Sequence, residues 1–371
     1  MDGGKLLATG SKSCVFRPSI PCKEFNNKDY NKVSKIVYDN KAALTIENEK
    51  YISKLISNIK GFKDWAIIFD QFCDTPVSYN EFKKHDKKGI KDCYDEDKND
   101  FNVLIFNSDY GGETMAETFT SIFKNTSKKK IEHDFIKFMD MMKPLFLGLT
   151  KMEDNNIIHN DIKSNNIVEH KGSFKYIDFG LSNKLENTQS FKKRSEEENK
   201  TSRIYHYYPL DYLLFYLPKN KLENEALIFQ SRKNYGLLNK IYNIFDFDLY
   251  NSLSITINDI IHKQINESNM IKSIDVYSLG IQVPLLFYHY SNIKYPHLIS
   301  IMINDFYELF KGMINPSIKD RLSPKEANQK YTRLLKKYKQ SKENKKSRTR
   351  TRSPIYSSKK KKNKSYQKKR V

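Results

Sequence analysis

The sequence predicts an α+β fold in which a smaller, strand-rich N-terminal part is followed by a larger, mostly helical part. Apolar runs at residues 32–37, 65–69 and 102–106 are typical of short strands. Among them, residues 41–59 place their apolar side chains on one stripe, as a single amphipathic helix does. Residues 132–153 repeat large apolar side chains at helical spacing, which predicts a long, buried central helix.

The composition sets the broad class of the chain. Its 371 residues suffice for one large two-part domain and a tail, and the hydrophobic content of 38% supports a packed core. No apolar run reaches the length of a membrane-spanning helix or a signal peptide, so we expect no membrane span. The cysteines show no metal-ligand spacing, which predicts reduced thiols in the cytoplasm or nucleus. They are Cys14, Cys22, Cys73 and Cys93.

The formal charge of +21 is concentrated at the C-terminus. Residues 341–371 contain fourteen Lys or Arg and one acid, so they carry +13 and leave +8 for residues 1–340. Residues 337–371 are too polar to pack and are predicted to form a disordered basic tail. Nucleic acid and anionic surfaces are both candidate partners of such a tail, and a solvated or nuclear-targeting segment is the alternative.

One segment in the middle of the chain carries the strongest chemical signal. His159, Asp161, Lys163 and Asn166 follow H-x-D-x-K-x-x-N spacing, two short strand-like runs come next, and Asp178 opens the triplet D-F-G. The two runs predict a hairpin that returns Asp178 to the side of Asn166. A carboxylate can orient and deprotonate a hydroxyl group, and amide and carboxylate oxygens suit Mg²⁺. The segment is therefore suited to phosphoryl transfer, and a polar loop between strands is the alternative without chemistry.

The same segment resembles the catalytic loop and metal-binding triplet of the eukaryotic-type protein kinases. The resemblance implies ATP and Mg²⁺ as cofactors. It implies Asp161 as the catalytic base, with Lys163 against the transferred phosphoryl group. It also implies Asn166 and Asp178 as the metal ligands.

The resemblance further implies a bilobal protein-kinase-like fold, with a small antiparallel-sheet N-lobe over residues 1–107 and a mostly helical C-lobe over 108–336. In this frame Ala8, Gly10 and Ser13 stand at the glycine positions of the family's phosphate-binding loop, and only Gly10 keeps the glycine. Small residues still let backbone N–H groups approach phosphates, although less freely than glycine does.

Lys35 falls where the family's strand lysine contacts the α- and β-phosphates. On the helix that follows, Glu49 is the favoured partner of Lys35, and Glu47 remains the alternative. With Glu49 as the partner, Ser53 is an unusually polar residue for a position expected to pack toward Phe179.

An adenine pocket between the lobes is another implication of the resemblance. Val15, Val33 and Val168 would enclose the ring, and ordinary strand core is a compatible interpretation of all three. Phe106 would close the back of the pocket, and Asn107 would begin a hinge that extends to residue 110.

Later features match the C-lobe of the family. Residues 181–207 are polar, as an activation segment or a mobile loop would be. Asp211 stands for the acid of the family's A-P-E triplet and Arg321 for its late arginine, so we predict a buried ion pair between them. Asp275 stands where the family's aspartate accepts backbone N–H bonds from the catalytic loop.

One interval departs from the family pattern. The distance from Asp211 to Asp275 is far longer than is usual in the family, which indicates an insertion at about 215–271. Its apolar and aromatic residues predict partly helical structure packed on the C-lobe. The insertion, the degenerate glycine loop and the Lys/Asn/Ile-rich composition resemble the protein kinases of nucleocytoplasmic large DNA viruses. That resemblance implies a viral protein that acts in the cytoplasm or nucleus of a host cell, or in the virion.

We therefore interpret the chain as a monomeric Ser/Thr protein kinase that transfers phosphate from ATP to protein substrates. Lys163, two residues after Asp161, favours Ser/Thr over Tyr acceptors within the family. A pseudokinase scaffold that binds partners through the insertion and the basic tail is the first alternative. A small-molecule phosphotransferase of related fold is the second, and Lys163, the D-F-G triplet and Arg321 disfavour it.

Overall fold

The computed structural model has a small lobe built on a sheet and a larger lobe built mainly of helices, which is the predicted bilobal α+β arrangement. It describes residues 5–9, 13–25, 29–37, 43–73, 77–78, 102–122, 128–201, 203–262, 265–293 and 306–350. The predictions made for Gly10, Cys93 and residues 351–371 lie outside these ranges.

The sheet of the small lobe consists of antiparallel strand pairs. Its strands are β1 (Lys5–Thr9), β2 (Ser13–Arg17), β3 (Lys32–Val37), β4 (Gln71–Phe72), β5 (Val77–Ser78) and β6 (Asn102–Asp109). They follow the order β1-β2-β3-β6-β4, and β5 also pairs with β6. Cys14 and Phe16 of β2 and Ile36 of β3 are buried beneath one face. Because side chains alternate along a strand, the intervening residues lie on the other face.

One predicted strand is wrong. The sequence predicts a strand over residues 65–69, but the backbone there pairs with the large lobe. The N–H of Tyr176 donates to the carbonyl of Trp65 at 2.9 Å, and the N–H of Ile67 donates to the carbonyl of Tyr176 at 3.0 Å. Trp65 is fully buried, and a Cβ on Gly148 would lie within 2.9 Å of its ring. The large lobe therefore buries this apolar run, and β4 begins only at residue 71.

A single helix, Ala43–Ser57, accompanies the sheet. It buries Ile52 and Ile56, two positions of the predicted stripe, in a core shared with the large lobe. Glu49 is buried on the same helix, whereas Glu47 is exposed. The helix therefore directs Glu49 into the protein.

The large lobe is organised around the helix Lys128–Asp154, whose predicted apolar stripe is buried. Two short antiparallel pairs lie beside this helix: β7 (Ile157–Ile158) with β10 (Asn183–Lys184), and β8 (Ile167–His170) with β9 (Ser173–Tyr176). Further helices span Met115–Ile122, Thr188–Asn199, Leu210–Leu214, Leu222–Phe229, Tyr235–Ile244, Leu249–Ile261, Glu267–Lys272, Ile274–Ile293 and Pro324–Arg350, and residues 306–313 are also helical.

The long interval at 215–271 is helical and belongs to the core of the large lobe. Leu238, Ile241 and Phe245 are fully buried in that core. Tyr242 from the same helix brings its hydroxyl to 3.2 Å from that of Tyr277. The apolar positions that predicted helical structure there are thus the positions that pack.

Of the two interpretations of residues 181–207, the mobile loop is wrong for Thr188–Asn199, which forms a helix. Phe191 and Ser195 lie one turn apart on its buried face. Ser195 Oγ donates to the carbonyl of Tyr212 at 2.7 Å. Polar contacts supply much of the anchoring of this helix, so apolar periodicity does not reveal it.

The predicted start of the tail at residue 337 is also wrong, because the helix Pro324–Arg350 continues past it. Tyr338 is only 5% exposed. Its ring packs against Phe135 at 5.7 Å and Phe306 at 5.9 Å between centroids. Tyr338 therefore packs this part of the helix on the core, and Lys339 adds an ion pair with Asp140 at 2.6 Å.

The cysteines differ from the expectation of reduced thiols. Cys22 and Cys73 form a disulfide, with 6.2 Å between their Cα atoms, and Cys14 is disulfide-bonded as well. All three lie in the buried cluster beneath the sheet. Because 51 residues separate Cys22 from Cys73, no local spacing motif could indicate the pair.

Within the described residues, one helical stretch, Glu267–His289, is long and apolar enough to span a membrane. Its most apolar window is 89% buried inside the protein, as the core helix of a globular domain is. Ile281 and Val283 from this stretch belong to the core of the large lobe.

Candidate active site

Lys35 connects the two lobes across the cleft between them. Its ammonium group lies 2.9 Å from Glu49 Oε2 and 2.8 Å from Asp178 Oδ1. Glu49 comes from the small-lobe helix, whereas Asp178 follows β9 in the large lobe. The structure thus brings three of the predicted residues together, and it selects Glu49 over the exposed Glu47.

Burial and charge act in opposite directions on this cluster. Burial alone would lower the pKa of Lys35, but the charges of Glu49 and Asp178 raise it above its ordinary value. The charge of Lys35 lowers the pKa of Asp178 in spite of burial. Burial raises the pKa of Glu49, and the charge of Lys35 opposes that shift. At neutral pH the cleft therefore presents a cationic Lys35 beside an ionised Asp178.

The cleft face of the sheet carries the apolar residues predicted to contact a nucleotide. In the sheet, Val15 of β2 and Phe106 of β6 both pair with Lys35 of β3. Paired residues share a face of the sheet, and Val33 shares it because it precedes Lys35 by two positions. Since Lys35 points into the cleft, these three apolar side chains line the same face.

Two residues of the predicted phosphate-binding loop lie at the edge of this face. Ala8 of β1 pairs with Val15, and Ser13 is the first residue of β2. They stand on either side of residues 10–12, which connect the two strands in the sequence and lie outside the described residues, as does Gly10 among them.

Asn107 does not begin the hinge, in contrast to the prediction. It continues β6, which stays paired with β3 as far as Asp109 and Lys32. Its side-chain oxygen accepts from Ser34 Oγ on the face opposite the cleft. Its carbonyl accepts from the N–H of Asp70 at 3.1 Å. The sheet extends further than the sequence indicated, and the hinge begins at residue 110.

The hinge crosses the β8–β9 hairpin at very close range. A Cβ on Gly111 would lie 2.3 Å from Val168 Cγ2. Gly112 has a φ of +86°, and a Cβ there would lie 2.3 Å from the carbonyl oxygen of Glu169. Only glycine permits both the approach and the left-handed conformation. These glycines bring Val168, a predicted wall of the adenine pocket, to the hinge end of the cleft.

The carboxylate of Asp161 is the centre of a hydrogen-bond cluster. Its Oδ2 accepts from Lys163 Nζ and from Asn166 Nδ2, each at 2.8 Å. Its Oδ1 accepts from the hydroxyl of Tyr205 at 2.8 Å. Asp161 is only 6% exposed, so these donors fix the orientation of its carboxylate.

Asp275 holds the backbone of this loop, which confirms the predicted contact. Its Oδ2 accepts from the N–H of His159 at 2.7 Å, and its Oδ1 accepts from the N–H of Asn160 at 2.9 Å. Burial raises the pKa of Asp275, and the two backbone donors oppose the shift. Asn160 has a φ of 60°, a left-handed conformation that asparagine tolerates better than most residues.

The hairpin returns the chain to the loop and brings the backbone next to Asp178 against Asn166, the two residues predicted to bind a metal ion. The N–H of Ile177 donates to the carbonyl of Asn166 at 3.0 Å, and Asp178 follows with a φ of 62°. The side-chain nitrogen of Asn166 is bonded to Asp161, which directs its amide oxygen elsewhere. The side chain of Asp178 is 42% exposed, and only one of its oxygens contacts Lys35. An amide oxygen and an ionised carboxylate fit a hard divalent cation such as Mg²⁺.

Tyr205 is a residue of this site that the sequence did not reveal. It comes after the helix Thr188–Asn199, and the N–H of Ile204, the residue before it, donates to the carbonyl of Lys233 at 3.0 Å. Burial, together with the charge of Asp161, raises the pKa of Tyr205, so the phenol keeps the proton that it donates. The position of Tyr205 depends on the path of the chain after the helix Thr188–Asn199 and on the contact with the insertion. No local motif in the sequence indicates either one.

The predicted ion pair beneath the site is confirmed. Arg321 Nη2 lies 2.7 Å from Asp211 Oδ1, and both side chains are at most 1% exposed. Arg321 also donates to Ser273 Oγ at 2.7 Å and to the carbonyl of Asn315 at 2.8 Å. The pair ties the end of the activation segment to the late part of the large lobe.

Comparisons with known proteins indicate the same class as the geometry. The family model described as protein kinase domain matches residues 88–205, which is less than half of the chain. The CTD kinase subunit alpha of Saccharomyces cerevisiae is 31% identical over 67 residues, which cover 18% of this chain and 13% of that protein. The probable serine/threonine-protein kinase fnkE of Dictyostelium discoideum is 29% identical over 113 residues, which cover 29% of this chain and 8% of that protein.

The chain thus spans only a small part of the length of the curated relatives it matches. The matched region includes the predicted catalytic loop, the hairpin and the D-F-G triplet. Together with the antiparallel-sheet lobe and the helical lobe, these matches support a protein of the eukaryotic-type protein kinase class with a kinase-like bilobal fold. A domain of this class implies ATP, a divalent metal ion and protein substrates in general.

Proposed function

We propose that this chain is a Ser/Thr protein kinase that transfers the γ-phosphoryl group of ATP to protein hydroxyl groups. The observation that carries the proposal is that one cleft brings together a lysine of the small lobe with two carboxylates and an amide side chain of the large lobe. Phosphoryl transfer needs these groups because catalysis consists almost entirely of positioning and charge stabilisation. They are Lys35, Asp161, Asn166 and Asp178.

The cofactors would be held by residues of both lobes. Lys35 would contact the α- and β-phosphates. Asn166 and Asp178 would hold Mg²⁺, which neutralises negative charge on the phosphate oxygens when it is bound. The adenine ring would lie against apolar side chains from both lobes, with Phe106 behind it: Val15, Val33 and Val168.

In the chemical step, Asp161 would accept a hydrogen bond from the acceptor hydroxyl and take its proton. Lys163 lies 2.8 Å from the same carboxylate and would stabilise negative charge on the transferred phosphoryl group. The preference for Ser/Thr acceptors is supported by Lys163 and by the name of the Dictyostelium relative.

Transfer of labelled phosphate to casein and to myelin basic protein tests the proposal. We expect metal-dependent transfer, with phosphoserine or phosphothreonine in the product. Asp161→Asn should lower kcat by about 10²- to 10⁴-fold, because it removes the base but keeps the shape of the side chain. Asp154→Asn, at an exposed position, is the matched control and should leave kcat unchanged. Equal activity of Asp161→Asn and wild-type protein would refute the role of Asp161.

Other outcomes of the same experiment identify the alternatives. Thermal stabilisation by ATP without any transfer would indicate a pseudokinase scaffold. Transfer to small hydroxyl compounds but not to proteins would indicate a small-molecule phosphotransferase. Phosphotyrosine alone in the added substrates would contradict the proposed Ser/Thr specificity.

The basic tail and the viral resemblance rest on the sequence. We propose that the tail binds an anionic partner, either nucleic acid or an anionic surface, and that the protein acts in the cytoplasm, nucleus or virion of an infected cell. A chain that ends at Arg350 should bind single-stranded DNA more weakly than the full chain. Its binding should also depend less steeply on salt, by about 0.7 in the logarithmic slope for each phosphate that the tail no longer neutralises.

A further inference from the structure

A groove beside the β8–β9 hairpin lies apart from the candidate active site. It has a volume of about 520 Å³ and is bordered by the central helix Lys128–Asp154, the hairpin and the helix Pro324–Arg350. None of the described residues that line it belongs to the proposed nucleotide or catalytic site. Four of them are lysines, and we call this surface the basic groove: Lys63, Lys143, Lys171 and Lys175.

The basic groove carries an excess of positive charge. Asp64 is the one acidic residue among the described residues that line it. None of the four lysines forms an ion pair with another described residue. Lys175 Nζ donates to the carbonyl of Lys63 at 2.6 Å, and an ammonium group has further protons to donate to a ligand. Burial and the charge of Lys171 lower the pKa of Lys175, and the charges of Asp64 and Asp109 oppose that shift only in part.

The hairpin holds its lysines on a fixed backbone. Its turn consists of Lys171 and Gly172, whose φ angles of 54° and 81° are typical of a tight two-residue hairpin turn. The N–H of Gly172 donates to Glu169 Oε1 at 2.6 Å, so this carboxylate is held within the hairpin and forms no ion pair with a described lysine. His170 Nδ1 lies 3.1 Å from the carbonyl oxygen of Tyr110, which ties the hairpin to the hinge. The backbone of the basic groove is therefore in place before a ligand binds.

The groove also has an apolar part and polar edges. Leu147 of the central helix is 37% exposed and lines the groove together with Pro144. Asn328 and Thr332 lie one turn apart on the helix Pro324–Arg350 and offer side-chain hydrogen bonds. Phe, Tyr, Trp and Arg, on which nucleic-acid bases stack, are absent from the described lining residues. A peptide that carries both acids and an aliphatic side chain therefore fits this surface better than a nucleic acid does.

We propose that the basic groove is a docking site for an acidic peptide segment of a partner protein. The Asp and Glu side chains of the segment lie against the four lysines, where they form charge-assisted hydrogen bonds. An aliphatic side chain of the segment packs on Leu147. The inference goes beyond the proposed function, since docking requires neither ATP nor phosphoryl transfer.

Fluorescence anisotropy of the full-length protein with a fluorescein-labelled peptide, Glu-Glu-Asp-Leu-Asp-Glu-Glu, tests the inference. Lys63→Glu combined with Lys171→Glu should weaken binding by about 10- to 100-fold, because repulsion replaces attraction at two exposed positions. Lys137→Glu combined with Lys240→Glu is the matched control. It makes the same change in net charge at exposed positions outside the groove, so the dissociation constant should stay close to that of wild type. Circular dichroism verifies that each variant is folded.

Two further variants separate specific docking from general attraction between charges. Lys63→Arg combined with Lys171→Arg keeps both charges and should retain binding. Leu147→Ser should weaken binding of the leucine peptide but not of a peptide with glycine in place of leucine.

The outcomes identify other occupants and other sites. Equal losses for the two charge-reversed variants would place the peptide on the basic tail or elsewhere and would overturn the inference. The absence of measurable binding to the wild-type protein would also overturn it. A larger loss for labelled oligothymidylate than for the peptide, on charge reversal in the groove, would overturn it in favour of nucleic acid.

Discussion

The ammonium group of Lys35 lies 2.8 Å from the carboxylate of Asp178, which follows it in the chain by 143 residues. This contact joins the two lobes at the candidate active site, because Lys35 belongs to the sheet of the small lobe and Asp178 follows the hairpin of the large lobe. The same ammonium group reaches Glu49 on the small-lobe helix. The position of that helix and the charge state of the cleft are therefore linked through one side chain.

Lys35→Met should affect both activity and stability. It removes the cation proposed to contact the phosphates, so kcat/KM should fall by about 10²- to 10³-fold. It also leaves the carboxylate of Glu49 buried without its partner, which should cost about 3 to 5 kcal/mol of unfolding free energy. Urea unfolding and casein phosphorylation check the two effects.

A second substitution separates these effects. Lys35→Met combined with Glu49→Gln removes the unpaired buried charge, so the double variant should recover part of the lost stability but none of the activity. A double variant less stable than Lys35→Met would contradict this account of the pair.

Much of the site could be predicted because chemistry fixes the spacing of its residues. Asp161, Lys163 and Asn166 share one short loop, and the hairpin that returns Asp178 is readable from two apolar runs. The ion pair of Arg321 with Asp211 followed from the resemblance, since each partner stands in a recognisable local motif. Such predictions need residue types and short spacings, which a sequence shows directly.

The remainder depends on which surfaces meet, and a sequence does not show this. The apolar run at 65–69 has the character of a strand, but the neighbour that buries it is Tyr176 of the large lobe. The sequence predicts that the strand ends at residue 106, and only the pairing with β3 shows that it continues through Asn107. Tyr205 reaches Asp161 because the insertion fixes the preceding backbone, a contact between residues that no motif relates.

Arg321→Met should destabilise the protein by about 3 to 5 kcal/mol, because Asp211 would be left as an unpaired buried charge. Arg321→Lys should recover little of this loss, since one ammonium group cannot replace the guanidinium contacts to Ser273 and Asn315. Chemical unfolding measures both variants. Asp70→Ala is the matched control, because its ion pair with Lys32 leaves the Asp70 side chain 53% exposed and should contribute at most about 1 kcal/mol. Similar losses for the buried and the exposed pair would contradict the argument.

Gly111→Ala should disturb the hinge. The new Cβ would lie 2.3 Å from Val168 Cγ2, so the hinge must move away from the hairpin at a cost of about 1 to 3 kcal/mol. Because Val168 is a proposed wall of the adenine pocket, the KM for ATP should rise as well. Val168→Ala in the same chain removes the clashing methyl group and should restore part of the melting temperature. A Gly111→Ala protein with wild-type stability would show that the hinge is not held against the hairpin.

His206 should make stability depend on pH. Burial, with a smaller contribution from His289, lowers the pKa of His206 from 6.5 to about 4. Between these values the unfolded chain binds a proton that the folded protein does not. The contribution of His206 is therefore complete above about pH 6.5 and is lost as the pH falls toward 4.

Substitution of His206 measures this contribution. Between pH 7.5 and pH 5 the unfolding free energy of both proteins should fall. The fall should be about 2 kcal/mol smaller for His206→Gln than for wild type, because each pKa unit corresponds to about 1.4 kcal/mol. His262→Gln, at an exposed histidine, should leave the wild-type pH dependence unchanged. Urea unfolding at the two pH values provides the comparison, and parallel pH profiles for wild type and His206→Gln would refute the assignment.

Tyr338 tests where the folded part of the chain ends. If residues from 337 onward formed a detached tail, Tyr338→Ala would have no effect on folding. In the structure this side chain packs against Phe135 of the central helix and against Phe306, so its removal should open a cavity and cost about 3 to 5 kcal/mol. Lys337→Ala, at the exposed position before it, should change stability by less than about 0.5 kcal/mol. Equal unfolding midpoints for the two variants would show that the folded part ends at residue 337, as the sequence predicts. A much lower midpoint for Tyr338→Ala would show that the folded lobe continues past that residue.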